Sequence, residues 1–192
     1  MAVVYFVTHP EVVIDPAVPV PDWGLSEKGK ARLEAFCTRP ELARVTDVFV
    51  SDERKAKDCA MLLQAVRGLS FTVDHRLGEN DRSSTGYVAP PRFWEIVDEF
   101  FAKPTESTSG WERAIDAQMR IRSAVADCIA ARTGSGDLII FAHGGVGALL
   151  LSSLTSQPIS RGTDQPINGG GCYFTFDSDS MALLSGWSDI VP

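Results

Sequence analysis

The chain has no apolar stretch long enough to cross a bilayer, no basic segment followed by an apolar leader core, and no surplus of positive charge. The first absence excludes a membrane-spanning helix. The second is the pattern expected of a protein that stays in the cytoplasm. With 18 Lys and Arg against 25 Asp and Glu, the net charge is −7, and a general nucleic-acid binder would need a basic stripe instead. A small anionic ligand is still compatible, because one pocket can be positive on an acidic protein. Cysteine is sparse: Cys37, Cys59, Cys128 and Cys172 are widely spaced and form no metal or redox motif. The first three sit among apolar residues of predicted helices, as buried free thiols do. No internal repeat, low-complexity tract or linker divides the chain, so residues 1–192 are read as one domain with one core. No Gly-x-Gly-x-x-Gly follows the first strand, so the usual dinucleotide fingerprint is missing.

Histidine is scarce too, with three in the chain, and two of them stand in the same setting. The run Val4-Tyr5-Phe6-Val7-Thr8 reads as a buried strand that ends on His9, and Pro10 stops regular pairing. The run Leu138-Ile139-Ile140-Phe141-Ala142 reads the same way and ends on His143, before Gly144-Gly145 and an apolar helix. Strands are expected over 2–8, 46–51, 70–74, 137–142, 172–177 and 182–187, and helices over 26–37, 53–67, 90–102, 110–133 and 145–155. This alternation predicts a three-layer α/β/α sandwich with a mostly parallel sheet, and the short turn between the last two strands makes that pair antiparallel. Ligands of such sheets bind beyond the carboxyl ends of the strands, so both histidines are expected in one site. Alone, a strand-end histidine is more often structural than nucleophilic, and Gly144-Gly145 can be an ordinary tight turn.

Between these strands lies Ser51-Asp52-Glu53-Arg54-Lys55-Ala56-Lys57-Asp58-Cys59-Ala60, a strand end followed at once by a helix. Ser51 or Asp52 is expected to cap that helix. Arg54 and Lys55 in the first turn oppose the helix dipole, a conflict that a bound phosphate removes. The competing reading is a solvated basic face balanced by Asp52, Glu53 and Asp58. Glu79, in Leu77-Gly78-Glu79, is a candidate general acid or an ordinary loop carboxylate. Residues 80–109 are expected to cover the site. Tyr87, Phe93, Trp94, Phe100 and Phe101 are candidates for an apolar lining there, with plain core packing as the alternative.

Taken in order, these pieces resemble the histidine phosphatase superfamily, the phosphoglycerate mutase-like family, over nearly the whole chain. The family's Arg-His-Gly-Glu corresponds to Thr8-His9-Pro10-Glu11, and its Leu-Thr-x-x-Gly to Leu25-Ser26-Glu27-Lys28-Gly29. Its Ser-x-x-x-Arg-Ala-x-x-Thr-Ala corresponds to Ser51 through Ala60, with Lys55 at the arginine position. Leu77-Gly78-Glu79 matches the acidic loop, Thr105-Glu106-Ser107 resembles the family's Gly-Glu-Ser, and Ala142-His143-Gly144-Gly145 matches the second-histidine motif. Asn168 sits where the family has an asparagine.

The resemblance implies a metal-independent phosphatase that hydrolyses a phosphomonoester through a phosphohistidine. His9 would be the nucleophile, Glu79 the acid and then the base, and His143 the stabiliser of the transferring phosphoryl group. The implied partner is a phosphorylated small molecule or phosphoprotein, and no cofactor is implied. Two phosphate-binding arginines are replaced, by Thr8 and Lys55, and Pro10 removes a backbone donor. Arg54 and Arg82 are candidate replacements, with Gly144 and Asn168 completing the expected anion site. These departures predict weak activity; the alternative is a degenerate module on the same fold that binds phosphate or protein without turnover.

Overall fold

The computed structural model describes residues 2–166 and 169–191. Six strands form one sheet: β1 (Val3–Thr8), β2 (Val45–Val50), β3 (Thr72–Val73), β4 (Asp137–Ala142), β5 (Cys172–Asp177) and β6 (Leu183–Asp189), in the order β3-β2-β4-β1-β5-β6. β3, β2, β4 and β1 run parallel, while β5 is antiparallel to both β1 and β6. β4 lies at the centre, and all six of its residues are buried, as a strand covered on both faces requires.

Five helices complete the layers: α1 (Glu27–Cys37), α2 (Arg54–Arg67), α3 (Arg92–Ala102), α4 (Ala114–Ala130) and α5 (Gly144–Leu154). The Ser26 hydroxyl accepts the Gly29 N–H and opens α1; Gly68, at φ 71°, closes α2 in the left-handed conformation that glycine tolerates. Leu33, Phe36, Cys59 and Leu63 of α1 and α2 cover the face made by Val7, Val50, Ile139 and Phe141. Ile121, Val125, Val146 and Leu150 of α4 and α5 cover the opposite face, made by Phe6, Leu138, Ile140 and Phe174. This is the expected three-layer sandwich.

α3 is different. Ile96, Val97, Phe100 and Phe101 pack not on the sheet but against Trp111, Ala114, Ala117, Ala148 and Leu149, so α3 lies over the start of α4 and the middle of α5. Three local expectations also change. The strand expected over 70–74 is only Thr72–Val73, as short edge strands often are. The helix expected from residue 110 begins at Ala114, because Ser109 and Gly110 both adopt positive φ. α2 has no side-chain cap: its N-cap is Glu53, and the Ser51 hydroxyl accepts the Glu53 N–H and faces His143 instead of bonding the first turn.

Candidate active site

Strand register brings the histidines together. Thr8 pairs with Ala142 in parallel β1 and β4, so the next residues, His9 and His143, leave adjacent strand ends side by side. The His9 N–H bonds Ala142 O at 3.2 Å, and the imidazole centroids lie 5.3 Å apart with the planes 65° to each other. β2 adds a third residue: Ser51 N donates to Phe141 O, and the Ser51 hydroxyl lies 2.8 Å from His143 Nε2.

His9 Nδ1 sits 3.0 Å from Pro10 O. A carbonyl only accepts, so Nδ1 carries the proton and Nε2 keeps a lone pair. Burial, then His143 and Lys55, push the His9 pKa down to about 3, which keeps the ring neutral at physiological pH. The His9 carbonyl is held from behind by Gly171 N at 2.9 Å. Gly170, at φ 79°, passes so close that a Cβ there would meet His9 O at 2.1 Å. Arg32 ties this layer together, donating to Glu11, to Gly170 O and Gly171 O, and to Asp189.

His143 is wholly buried, and burial holds its pKa below the ordinary value. Among the described residues its Nδ1 has no hydrogen-bond partner. Glu79 reaches the same corner. Its two oxygens accept Gly145 N and Val146 N, both at 2.9 Å, at the start of α5 where the helix dipole favours a negative charge. Burial works against its ionisation, but Arg82, His143 and the Gly145 N–H prevail and hold its pKa below the usual carboxylate value. A Cβ on Gly145 would meet Glu79 Oε1 at 2.6 Å, so the second glycine makes room for this carboxylate. The loop that carries it is clamped by Arg120, which donates to Arg76 O, Gly78 O and Glu79 O and pairs with Glu112.

The expected anion donors fare unequally. Arg82 lies in the cleft, 3.3 Å from Glu79 Oε2, with Nε and Nη2 on Asn80 Oδ1. Gly144 lines the cleft as well. Lys55 is 4% exposed and near enough to depress both histidines, but its ammonium is bonded to Glu53 and to Val20 O. Thr8 does not reach the cleft: its fully buried hydroxyl accepts Cys172 N and faces Gln165 and Cys172 O. Arg54 is exposed on α2, where it donates to Asp22 O and lies where a side chain on Gly24 would be, away from the cleft in which the arginines are missing. Asn168 lies outside the described residues.

Glu53 is the site residue that sequence reasoning read as surface balance. One oxygen accepts Glu79 N at 2.9 Å and stands 3.4 Å from His143 Nε2; the other holds Lys55. Burial raises its pKa, but His143, Lys55 and the Glu79 N–H overcome that and hold it at about 2. A carboxylate two residues before a lysine gives no signal of this kind; only the start of α2 turns both inward. Among the described residues no group of three or more His, Cys, Asp or Glu side chains is placed to hold a metal ion.

A model of the histidine phosphatase superfamily (branch 1) matches residues 4–185. YhfR of Bacillus stearothermophilus superposes with a TM-score of 0.79 at 19% identity, covering 96% of this chain and 95% of that one. The mycobacterial glucosyl-3-phosphoglycerate phosphatase in complex with inorganic phosphate superposes with 0.75 at 21% identity, covering 98% and 95%. No curated protein matches the chain by sequence. At such identities the structural likeness speaks for the fold, and the family match rests on the sequence itself.

Proposed function

Because the chain belongs to the histidine phosphatase superfamily, we propose that it is a phosphoric monoester hydrolase that works through His9 without a metal. The observation that carries this reading is the His9 tautomer: with Nδ1 donating to Pro10 O, the Nε2 lone pair is free to attack phosphorus. In the first step the His9 Nε2–P bond forms as the ester P–O bond breaks, and the leaving oxygen departs with the bonding pair. His143, whose ring centroid lies 5.3 Å from that of His9, would stabilise the oxygens of the transferring phosphoryl group. In the second step Glu79 takes a proton from water as the water oxygen bonds phosphorus and the His9 Nε2–P bond breaks, its electron pair returning to Nε2; inorganic phosphate leaves, and Glu79 passes the proton to solvent, where it balances the departed oxide. Glu79 is ionised at rest, so its part as a base is ready formed, and the first step leans on the quality of the leaving group.

The Lys55–Glu53 and Thr8–Cys172 contacts favour a second reading, a module that binds its phosphorylated partner without turnover. Incubation with an aryl phosphate in the presence of a chelator, followed by a rapid quench and mass spectrometry, separates the two. The hydrolase reading expects turnover unaffected by chelator, an acid-labile phosphoryl adduct on His9, and loss of both in His9→Ala. Binding with no adduct and no turnover establishes the module instead.

A further inference from the structure

We infer that the cleft recognises its ester mainly by the organic group: the chamber beside His9 is a subsite for a one- or two-ring aryl, or similarly bulky apolar, group of a phosphomonoester. This rests on the hydrolase reading above and names its substrate class. The cavity that holds His9, Glu79, Arg82 and Gly144 is also lined by Phe93, Trp94, Val97, Phe100 and Trp111, and by Ile14. Its volume of about 290 Å³ lies at the low end of ligand pockets, which suits a compact ring system and not a dinucleotide.

Core packing explains part of this wall but not its rim. Val97, Phe100 and Trp111 are buried against α4 and α5, whereas Trp94 is 38% and Ile14 58% exposed at the cleft. Large apolar side chains left open beside a nucleophile gain from being covered by an apolar ligand. Trp94 is set edge-on to Phe93 at 4.9 Å. The Arg82 guanidinium lies over Phe93 at 5.3 Å and over Trp111 at 5.0 Å, so a cation is built into the aromatic wall at its junction with the catalytic corner. A ring entering there meets aromatic side chains together with this cation.

The phosphate end points the same way. Lys55 is answered by Glu53 and Arg82 by Glu79, while Thr8 turns to Cys172. With little net charge to hold the phosphoryl group, affinity falls to the organic part. Glu79 has both oxygens on helix N–H groups and carries no resting proton for the leaving oxygen. An aryl oxide leaves with less help than an alkoxide, so the chemistry and the chamber select the same class of ester.

Two assays test this on the full chain. In turnover, kcat/KM for 1-naphthyl phosphate is compared with that for glycerol 2-phosphate. In binding, calorimetry compares 1-naphthylmethylphosphonate, methylphosphonate and 1-naphthol, none of which can be hydrolysed. The naphthyl phosphonate is expected to bind at least about tenfold tighter than either fragment, the scale set by one well-placed aromatic contact plus burial. Trp94→Ala and the independent rim variant Ile14→Ser should each cut the naphthyl preference several-fold, and both positions are exposed enough to spare the fold. Equal binding of both phosphonates, naphthol as tight as its phosphonate, or an unchanged preference in folded variants overturns the inference. If nothing is hydrolysed but the phosphonate preference and its loss in the variants hold, the subsite stands and the hydrolase reading falls.

Discussion

At His143 two carboxylates converge, and each holds a cation that the proposed phosphoryl ligand would draw on. Glu79 faces Arg82, and Glu53 holds Lys55 with one oxygen while the other stands 3.4 Å from His143 Nε2. Glu53→Gln keeps the shape and an acceptor for Glu79 N while removing one charge. Inorganic phosphate should then bind about tenfold tighter, roughly 1.4 kcal/mol, a modest share of the Coulomb energy between near neighbours at an effective dielectric of about 20. The variant should also melt lower without ligand, because Lys55 is left buried without its counter-charge, and phosphate should restore part of the loss. Calorimetry and thermal melts check both; unchanged phosphate affinity would show that Lys55 does not face the phosphoryl position. Thr8 offers no similar route. Its buried hydroxyl ties β1 to β5, so an arginine there would have to displace Cys172 and Gln165 contacts before reaching the cleft.

Elements set the precision of the site. β1 and β4 carry the imidazoles, α5 supplies two N–H groups to Glu79, and the 169–171 loop backs the His9 carbonyl. The loop is the most exacting of these. Gly170→Ala places a Cβ 2.1 Å from His9 O at a φ of 79°, so either the loop or His9 must move. The expected cost is about 2–4 kcal/mol of stability, the range of strained-backbone and overpacking changes. Rate should fall about a hundredfold if His9 is the nucleophile proposed above and shifts by a fraction of its working distance. Denaturant midpoints and kcat on an aryl phosphate measure both, and an alanine variant that matches the parent in each would show that the loop yields freely. α3 plays another part. Having no place on the sheet, it leans over α4 and α5 and turns Phe93 and Trp94 toward the cleft.

For the whole molecule, the buried site makes acid a destabiliser. The His9 pKa is about 3 in the folded chain against 6.5 for an ordinary histidine, so below pH 6.5 the unfolded chain binds the proton that the folded one refuses. Stability from this group is complete above pH 6.5 and declines as pH falls toward 3. Glu53, at about 2 against 4.5, adds a second decline that starts near pH 4.5 and runs toward 2. Denaturation midpoints measured from pH 7 to 4 should drop steadily, and His9→Asn should make the upper part of that curve, between pH 6.5 and 4.5, less steep, with His143, also held below its ordinary value, keeping the rest. A parent curve that is level across that window would mean His9 is not held neutral by the fold. The sequence by itself determined the sandwich, the two strand-end histidines and the glutamate after the short edge strand, with Thr8 and Lys55 standing where the family resemblance expects arginines. Those features are local: apolar runs that end on polar residues, glycines at turns, and side-chain types at fixed spacing. Tertiary structure alone decided which cations serve the cleft. Register set His9 against His143, the turn of α2 sent Arg54 outward and Lys55 onto Glu53, and the pairing of β1 with β5 drew Thr8 away. Whether a charge is available depends on which opposite charge reaches it first, and that is a property of packing between segments far apart in the chain.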